Sequence, residues 1–553
     1  MIDCPHAARC TGCTRLEQPY SEQLVDKRAA LTSALSRYPE LSLVSVGPCE
    51  PASPLVGYRA RAKWVVEGGK VGLFARGDAH EVLDLPGCVV VPRGFVAVAD
   101  ALRAALASGM SGAGAVSALD VRGARDGGEE RLLVTLVHDS RLREPDAALA
   151  PLAARLLEVP GVAGVARAPR DPRSPRALGG APRPLLGATR APDDGRLATF
   201  GGFAQAHRVQ AARVADMVVA ALGDTGSRTV LELFGGEGAL GLSLARAGAE
   251  VELVELVGHA AQAAADVARR DGLPLTARAA DAEILASLPP RDLVLVDPPR
   301  RGLTPGLREA VARAARRAIV VVSCEPSTLA RDLAHLARLG FAARSALPVD
   351  MIPLSDSVEA VAVLLPAPPP PLRVLHEDDD LVVVDKPPHL SRAALEAAVR
   401  ARFPRAVSLG APPAEASGVA PFARSIVAAA RARHALGEVT WTARVRGVPH
   451  ARGVLTRRAT APTLSYTRGE IDAGHATITL VSREIGGAEP LPALARIGHP
   501  ALGDARHGHA ATNARWFATA GLDRAWLHAS RVAVGASVVE SPLPADLPLP
   551  PRA

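Results

Sequence analysis

Residues 199–365 alternate between short apolar runs and longer amphipathic stretches, and few folds accommodate that order. The apolar runs predict strands, and the stretches between them have the 3.6-residue periodicity of helices. Strands that alternate with helices form a parallel sheet covered on both faces, which is an α/β architecture. The predicted strands are Thr229–Phe234, Val251–Glu255, Asp292–Asp297 and Ala318–Ser323, and the predicted helices are Ala239–Ala247, Gly258–Arg270, Pro305–Arg317 and Thr328–Leu339.

Chemically reactive residues stand at the ends of these predicted strands. They are Glu232 and Gly236, Glu255, Asp297 and Cys324. In open α/β sheets, ligands bind beyond the carboxyl ends of the strands. We therefore expect these groups to converge on one edge of the sheet and to form a site there.

The glycine-rich turn Gly235–Gly238 joins the first predicted strand to the helix that follows. Such a turn lets a nucleotide-like ligand approach the backbone, and Glu255 can accept hydrogen bonds from both hydroxyls of a ribose. The dinucleotide fingerprint fits only loosely, so the pattern favours a nucleoside cofactor without a pyrophosphate. A tight turn that simply needs glycine is the alternative.

Cys324 follows a predicted strand and precedes a predicted helix. At that place the helix dipole and the free backbone N–H groups stabilise a thiolate. The position therefore predicts a nucleophile, whereas the alternative is a small buried apolar side chain. The neighbouring strand-end groups favour the catalytic interpretation.

Three of the six cysteines, Cys4, Cys10 and Cys13, fall within ten residues in a C-x5-C-x2-C spacing. Three thiolates so close together can bind one soft metal centre, and Cys88 is the candidate for a fourth ligand. Four thiolates also suit tetrahedral zinc, so zinc is the competing interpretation. Cys49 lies outside the pattern.

Composition divides the rest of the chain. Short alternating runs between residues 44 and 166 predict a small antiparallel β-rich unit, and the proline-rich stretch 366–371 predicts an extended linker. Residues 372–553 hold 22 basic and 16 acidic side chains, so they carry +6 of the chain's net charge of +7. This excess fits a polyanionic partner.

Several motifs occur together and in a fixed order. They are the Cys4–Cys13 spacing, Tyr58–Lys63, Phe203–Gln205, Gly235–Gly238, Asp297–Arg300, Ser323–Cys324, Arg331–Leu333, Val349–Met351 and Val358–Glu359. Through this set, residues 1–365 resemble the RNA uracil-5-methyltransferases that use S-adenosylmethionine, in particular the iron–sulfur branch that modifies 23S ribosomal RNA. The resemblance implies a Rossmann-like methyltransferase domain over residues 199–365. Before it would come an iron–sulfur segment over 1–46 and the β-rich unit over 47–198.

The resemblance also implies which residues carry the chemistry. Cys324 would add to C6 of a uracil, and Glu359 would remove the C5 proton after methyl transfer. Contacts to S-adenosylmethionine would come from Gln205, Phe234, Gly236, Glu255, Asp281 and Asp297. A [4Fe–4S] cluster would be bound by Cys4, Cys10, Cys13 and Cys88.

The chain departs from that family's pattern near the predicted site. Glu325 replaces the usual Asn after the nucleophile, and Asp356 and Ser357 stand in a segment where the family has a His. Ala239 replaces a polar cofactor-contact residue, and His207 replaces a common Asn. Because the nucleophile and the base are retained, we expect activity. A non-catalytic RNA-binding assembly factor is the alternative.

Residues 372–553 resemble a second family, the RNA pseudouridine synthases. The matching segments are Val374–Pro387, Ile497–Asp504 and Leu527–Ala529. Pro413 stands where that family has its catalytic Asp, and Trp441 stands where it has the Tyr that lies on the target base. Without a carboxylate there is no attack on the nucleotide, so the resemblance implies an inactive α+β domain. An enzyme that makes both modifications is the alternative.

The expected partner is RNA, with ribosomal RNA as the first expectation and tRNA as the second. An arginine-rich loop is predicted to contact its phosphates through Arg167, Arg170, Arg173, Arg176, Arg183 and Arg190. No run is long and apolar enough for a membrane span, and the start of the chain does not read as a signal peptide. We therefore expect a cytoplasmic protein, and we expect it to be a monomer.

Overall fold

The computed structural model describes residues 2–170, 180–223, 228–284, 287–455, 464–483 and 489–548. The chain divides into two compact units. Unit 1 comprises Met1–Arg300 with Gly306–Pro368, and unit 2 comprises Arg301–Pro305 with Pro369–Ala553. The division after Pro368 falls inside the proline-rich stretch 366–371. Among the described helices, none is both long and apolar enough to span a lipid bilayer.

Within the first 200 residues of unit 1, residues 190–199 form a separate two-stranded sheet, and residues 61–187 form a seven-stranded sheet with two helices packed on it. Its strand order is β4-β3-β2-β5-β6-β7-β8. The elements are α1 (Tyr20–Ser36), β1 (Ser45–Val46), β2 (Arg61–Glu67), β3 (Lys70–Ala75), β4 (Asp78–Asp84), α2 (Arg93–Ala107), β5 (Val116–Asp126), β6 (Glu129–Asp139), α3 (Pro145–Leu157), β7 (Val162–Arg170), β8 (Arg183–Gly187), β9 (Arg190–Asp193) and β10 (Arg196–Thr199). The sheet is antiparallel, as predicted, except that β6 and β7 are parallel.

The rest of unit 1 forms an eight-stranded sheet, in the order β1-β16-β17-β15-β14-β11-β12-β13. Its elements are α4 (Arg208–Leu222), β11 (Thr229–Leu233), α5 (Gly241–Arg246), β12 (Glu250–Glu255), α6 (Gly258–Asp271), β13 (Leu275–Ala279), β14 (Arg291–Val296), α7 (Pro305–Ala314), β15 (Ala315–Ser323), α8 (Pro326–Arg338), β16 (Phe341–Val349) and β17 (Glu359–Pro366). The strands from β15 to β13 are parallel, as the sequence predicts. The sheet is nevertheless mixed, because β17 lies antiparallel between β15 and β16.

The central strands of this sheet are buried along almost their whole length. Leu293–Val296 of β14 and Ala318–Ser323 of β15 are buried at every position, as expected for strands covered on both faces. The predicted helix over Pro305–Arg317 is three residues too long. It ends at Ala314 because Ala315 pairs with Arg291 of β14 and starts the strand instead.

Unit 2 contains a ten-stranded sheet and four helices within its described residues. The main strand order is β18-β19-β21-β26-β22-β25-β24-β23, with β20 beside β21 and β27 beside β26. The elements are β18 (Val374–Glu377), β19 (Leu381–Lys386), α9 (Arg392–Arg402), β20 (Val407–Ser408), β21 (Ser417–Ala423), α10 (Ala429–Ala435), β22 (Leu436–Arg446), β23 (Arg452–Val454), β24 (Leu464–Asp472), β25 (His475–Ser482), α11 (Pro490–Arg496), α12 (Ala510–Ala520), β26 (Leu527–Val534) and β27 (Ser537–Glu540).

The arginine-rich loop differs from the prediction. Arg167 is buried and forms an ion pair with Asp146, and Arg190 forms one with Asp266. These two guanidinium groups are paired with carboxylates of the protein itself. Arg170 and Arg183 stand exposed at the ends of β7 and β8, whereas residues 173 and 176 lie outside the described residues.

Candidate functional site

A cavity of about 710 Å³ lies at the carboxyl edge of the eight-stranded sheet. This volume is in the range of pockets that bind cofactor-sized molecules. The structure brings most of the predicted site residues to its wall, from six different parts of the chain: Gln205, Glu232, Phe234, Gly236, Glu255, Asp297, Cys324 and Glu359. Ala239 and Ser357, two of the departures from the family pattern, also line it.

The glycine-rich turn approaches the next strand too closely for side chains. A Cβ atom at Gly235 would stand 2.5 Å from Cγ of Leu253 on β12. Phe234 and Gly236 adopt left-handed backbone angles, with φ of +63° and +56°. Glycine permits this geometry at little cost, so the backbone of the turn can form the floor of the cavity.

Glu255 is held at the cavity wall by the backbone. Its Oε2 accepts a hydrogen bond from the Gly236 N–H at 2.9 Å, and its Oε1 accepts one from the Val257 N–H at 2.8 Å. Each carboxylate oxygen keeps a lone pair for a further donor. Glu255 is therefore pre-oriented to accept hydrogen bonds from ligand hydroxyl groups.

Cys324 lies between the end of β15 and the start of α8. Burial raises the pKa of its thiol to about 11, and the nearby Glu359 carboxylate raises that pKa further. The Arg300 guanidinium acts in the opposite direction. Burial and the nearby carboxyl groups therefore act against the thiolate that the helix N-terminus was predicted to favour.

Acidic side chains surround the thiol. Desolvation raises the pKa of Asp297 and that of Glu359. The Asp297 charge raises the pKa of Glu359 further, whereas the Arg300 guanidinium lowers it. Burial also raises the pKa of Glu232 to about 8. The Gln205 amide donates a hydrogen bond to Oδ2 of Asp297 at 3.5 Å. The wall also carries cationic side chains, among them Arg61, Lys63 and Arg300, so its charge is mixed.

Two residues singled out in the sequence are used elsewhere. Asp281 does not line the cavity: its Oδ1 accepts a hydrogen bond from the Glu283 N–H at 2.9 Å, which caps a short 3₁₀ turn over Ala282–Ile284. Glu325, directly after the nucleophile, turns towards α8 and accepts a hydrogen bond from the Ser327 hydroxyl at 2.9 Å.

The four candidate metal ligands share one neighbourhood. Burial raises the pKa of Cys13 to about 11, and Cys88, Cys10 and Cys4 each raise that pKa further because their charges are close. Cys4, Cys13 and Cys88 pack in one small apolar cluster. Among the described residues, no three His, Cys, Asp or Glu side chains are already arranged to hold a metal ion. Four thiols suit a thiolate-bound metal, but in the part of the chain that the structure describes they are not yet arranged to coordinate one.

The loop that carries these cysteines is fastened to β3 and β4. Cys10 forms a β-bridge with Ala75, and the Thr11 hydroxyl donates to the Phe74 carbonyl at 3.1 Å. An ion pair joins Arg9 to Glu81. These contacts explain how Cys88, more than seventy residues further along, comes beside the others.

In unit 2, the side chains of Trp441 and Lys386 are internal. Trp441 on β22 is 0% exposed, so no base can stack on its ring in this conformation. Lys386 is also 0% exposed and donates to the Ala416 carbonyl at 2.7 Å and to two further carbonyls. Pro413 lies in the loop before β21, where its carbonyl accepts a hydrogen bond from the Ala416 N–H.

Sequence reasoning missed two contributions to the site of unit 1. Arg300 was visible only as part of a motif, yet it is the cation that faces Cys324 and Glu359. The second is a buried network in which Arg122 on β5 binds both Asp193 and Glu237, at 3.1 and 3.2 Å. Glu237 belongs to the glycine-rich turn. An acidic residue inside such a turn is the sequence feature that could have indicated a buried cationic partner.

No protein-family profile matches this chain. The chain is 30% identical over 390 residues to an uncharacterized RNA methyltransferase of Geobacter sulfurreducens. The matched residues make up 66% of this chain and 76% of that relative. It is also 30% identical over 380 residues to an uncharacterized RNA methyltransferase of Gloeobacter violaceus, which covers 65% of this chain and 82% of the relative.

Among solved structures, the fold is similar to the Pyrococcus abyssi tRNA (uracil-54, C5)-methyltransferase in complex with S-adenosyl-L-homocysteine. The TM-score is 0.52 at 22% identity, over 64% of this chain and 86% of that structure. That likeness concerns the fold, whereas the identity and coverage of the curated relatives concern the family. On those relatives, the chain belongs to the RNA methyltransferases.

Proposed function

We propose that this chain transfers a methyl group from S-adenosylmethionine to C5 of a uridine in RNA, with 23S ribosomal RNA as its substrate. One observation carries the proposal: a thiol and a carboxyl group, Cys324 and Glu359, line the same cavity as the glycine-rich turn and Glu255. Methylation at C5 of uracil needs both a nucleophile and a base beside the methyl donor. The fold likeness to a tRNA uracil-C5 enzyme supports the choice of target atom.

The residues at the cavity wall fit S-adenosylmethionine. Glu255 is oriented to accept ribose hydroxyl groups, and the turn at Gly236 gives the nucleoside access to the backbone. Asp297 and Gln205 add polar groups at the same wall. When bound, the cofactor supplies an electrophilic methyl group on its sulfonium sulfur.

Cys324 would begin the reaction. Its thiol loses a proton, and the sulfur forms a bond to C6 of the uracil, which moves the C5=C6 electron pair onto C5 and O4 as an enolate. C5 is then nucleophilic enough to take the methyl group, which breaks the bond from that methyl to the sulfonium sulfur and releases S-adenosylhomocysteine. The Arg300 guanidinium favours the thiolate that this step requires.

Glu359 would complete the reaction. Its carboxylate removes the proton from the methylated C5, the electron pair of that C–H bond re-forms C5=C6, and Cys324 leaves as a thiolate. The carboxyl group is 5% exposed, and its raised pKa makes it a stronger base than an exposed glutamate once it is ionised. Glu359 then releases its proton to water and the Cys324 thiolate takes one up. The cycle thus converts RNA and the methyl donor into methylated RNA, S-adenosylhomocysteine and one proton.

A product assay tests this proposal. Unmodified 23S ribosomal RNA and unmodified tRNA, both transcribed in vitro, are incubated separately with the protein and methyl-labelled S-adenosylmethionine. We expect labelled 5-methyluridine after digestion of the ribosomal RNA to nucleosides. Label in another nucleoside would contradict C5 chemistry, and label in tRNA alone would contradict the substrate. No label in either RNA would favour the non-catalytic assembly factor.

The pKa of Cys324 gives a pH dependence. Because the pKa is raised to about 11, only the thiolate fraction reacts at pH 7, and that fraction grows tenfold with each pH unit. The increasing ionisation of Glu359 acts in the same direction. We expect log kcat/KM to rise by about one to two per pH unit between pH 7 and 9, because one or both groups still gain ionisation there. Initial rates at constant ionic strength measure it.

The matched variant for this profile is Arg300→Gln. Since the guanidinium lowers the pKa of the thiol, its loss should move the whole profile to higher pH. A profile that is flat between pH 7 and 9 in the unaltered protein would contradict the assignment of Cys324 as a nucleophile that must first lose its proton.

We also propose that Cys4, Cys10, Cys13 and Cys88 bind a [4Fe–4S] cluster. Protein purified without oxygen should then be brown, and the visible absorption should disappear in Cys10→Ser, because thiolate-bound iron–sulfur clusters absorb visible light. Cys49→Ser is the control, since Cys49 is a buried thiol outside the group, and it should stay brown. Colourless protein with stoichiometric zinc and no iron would contradict the cluster.

For unit 2, we propose an inactive pseudouridine-synthase-like domain that binds RNA through its positive charge. Removal of residues 372–553 should weaken RNA binding and flatten its salt dependence, since each lost phosphate contact changes the slope of log K against log salt by about 0.7–0.9. A short uracil-containing RNA at saturating concentration should still be methylated. Unchanged affinity and salt slope would show that unit 2 binds something other than RNA, and pseudouridine made by the intact protein would contradict its inactivity.

A further inference from the structure

The segment from Asp350 to Val358 joins β16 to β17 and leads directly into Glu359. Glu359 is the first residue of β17, and strand pairing fixes it opposite Val349, the last residue of β16. We call residues 350–358 the base loop, because the last of them precedes the proposed base. The contacts of this loop therefore decide how Glu359 enters the cavity.

The first half of the base loop is anchored by α1. Lys27 and Asp350 form an ion pair in which the side chains are 1% and 0% exposed, and the Lys27 ammonium also donates to the Ile352 carbonyl at 3.0 Å. The Tyr20 hydroxyl donates to the other Asp350 oxygen at 2.8 Å. This buried group fixes the start of the loop some nine residues before Glu359.

The second half is anchored by the residues that follow Cys13. The Arg15 N–H donates to the Leu354 carbonyl at 3.0 Å, and the Leu354 N–H donates to Oε1 of Gln23 at 3.1 Å. Leu354 is buried with φ of +68°, a conformation that a branched side chain adopts only when its surroundings impose it. Thr14 donates to Oδ2 of Asp356 at 2.6 Å, and Arg15 forms an ion pair with its Oδ1.

The same segment touches the cysteines. Leu354 and Ile352 pack in the apolar cluster that contains Cys4, Cys13 and Cys88. The segment that carries Cys4 to Cys13 thus packs directly against the base loop. From this geometry, we infer that Thr14 and Arg15 are positioning residues for Glu359: by binding Asp356 they set the approach of the base to C5. The inference rests on the proposed function, in which Glu359 removes the C5 proton.

Asp356 offers a test that separates positioning from stability. Its side chain is 60% exposed, so the loss of its contacts should change stability little. If the loop positions the base, Asp356→Ala leaves addition by Cys324 and methyl transfer intact but slows proton removal. The intermediate bonded to Cys324 then accumulates, which a purely structural role would not cause.

The experiment compares Asp356→Ala with Glu158→Ala in the full chain. Glu158 pairs with Arg155 on the surface and is 65% exposed, so it is a matched control far from the cavity wall. We expect kcat of Asp356→Ala to fall about tenfold with KM changed by less than about twofold, since small displacements of a reacting group cost this much. The fraction of protein bonded to labelled RNA on denaturing gels should rise several-fold. The unfolding midpoint should move by less than about 2 °C.

The conservative variant Asp356→Glu provides rescue. It keeps a carboxylate for both Thr14 and Arg15, so its kcat should recover relative to Asp356→Ala. Normal turnover and normal adduct in Asp356→Ala, or an equal defect in Glu158→Ala, would overturn the positioning role alone. If the unaltered protein makes no 5-methyluridine and Glu359→Gln forms no adduct, the proposed function fails, and the positioning role is overturned with it.

Discussion

Cys324→Ala should abolish methyl transfer to RNA, with a fall in rate of about a thousandfold or more, because the enolate at C5 cannot form without the bond from sulfur to C6. The thiol is half-buried, and its replacement by a methyl group should cost about 1 kcal/mol or less of unfolding free energy. Binding of S-adenosylmethionine should be unchanged within about twofold, since the contacts proposed for it come from Glu255 and the glycine-rich turn. Methyl transfer from labelled cofactor to 23S ribosomal RNA measures the loss.

Cys49→Ala is the control for this variant. Cys49 is a buried thiol that does not line the cavity, so its removal tests the general effect of losing a sulfur atom. If Cys324→Ala keeps full activity, or if both variants lose activity equally, the covalent mechanism is wrong.

Glu359→Gln should have the opposite signature: it should accumulate a covalent complex between the protein and RNA. Addition of Cys324 and methyl transfer precede proton removal, and glutamine has nearly the shape of glutamate but cannot accept the proton. Most of the protein should migrate with labelled RNA on denaturing gels, while turnover falls by about a hundredfold or more, as expected when a general base is lost.

The double variant Cys324→Ala with Glu359→Gln is the matched control, because it cannot form the bond to C6 and should give no complex. A complex that persists in the double variant would place the bond on another residue. Absence of a complex in Glu359→Gln alone would mean that Glu359 acts before methyl transfer, as a base for the thiol.

The sequence predicts the candidate site best where an acidic residue or a cysteine stands at the end of a predicted strand. Strand ends can be located from apolar runs, and in a parallel sheet they meet at one edge, so the grouping of Glu255, Asp297 and Cys324 could be foreseen. The ionisation of Cys324 could not. Its pKa depends on the balance between burial, Glu359 and Arg300, and that balance depends on three-dimensional packing.

Pairings over long sequence separations were also beyond reach. Nothing near Lys27 in the chain indicates Asp350 as its partner, and the use of Arg167 and Arg190 in internal ion pairs is equally invisible. The antiparallel orientation of β17 between β15 and β16 could not be predicted for a related reason. An apolar strand has the same composition in either direction, so periodicity does not define its orientation.

The ion pair of Lys27 with Asp350 joins residues 323 positions apart, and its consequence concerns synthesis on the ribosome. At about 5–20 residues per second, α1 leaves the ribosome roughly 15–65 seconds before the strand that ends beside Asp350. During that interval Lys27 lacks the carboxylate that it pairs with in the folded protein. We therefore expect the nascent chain to depend on chaperones more than its mature stability would suggest.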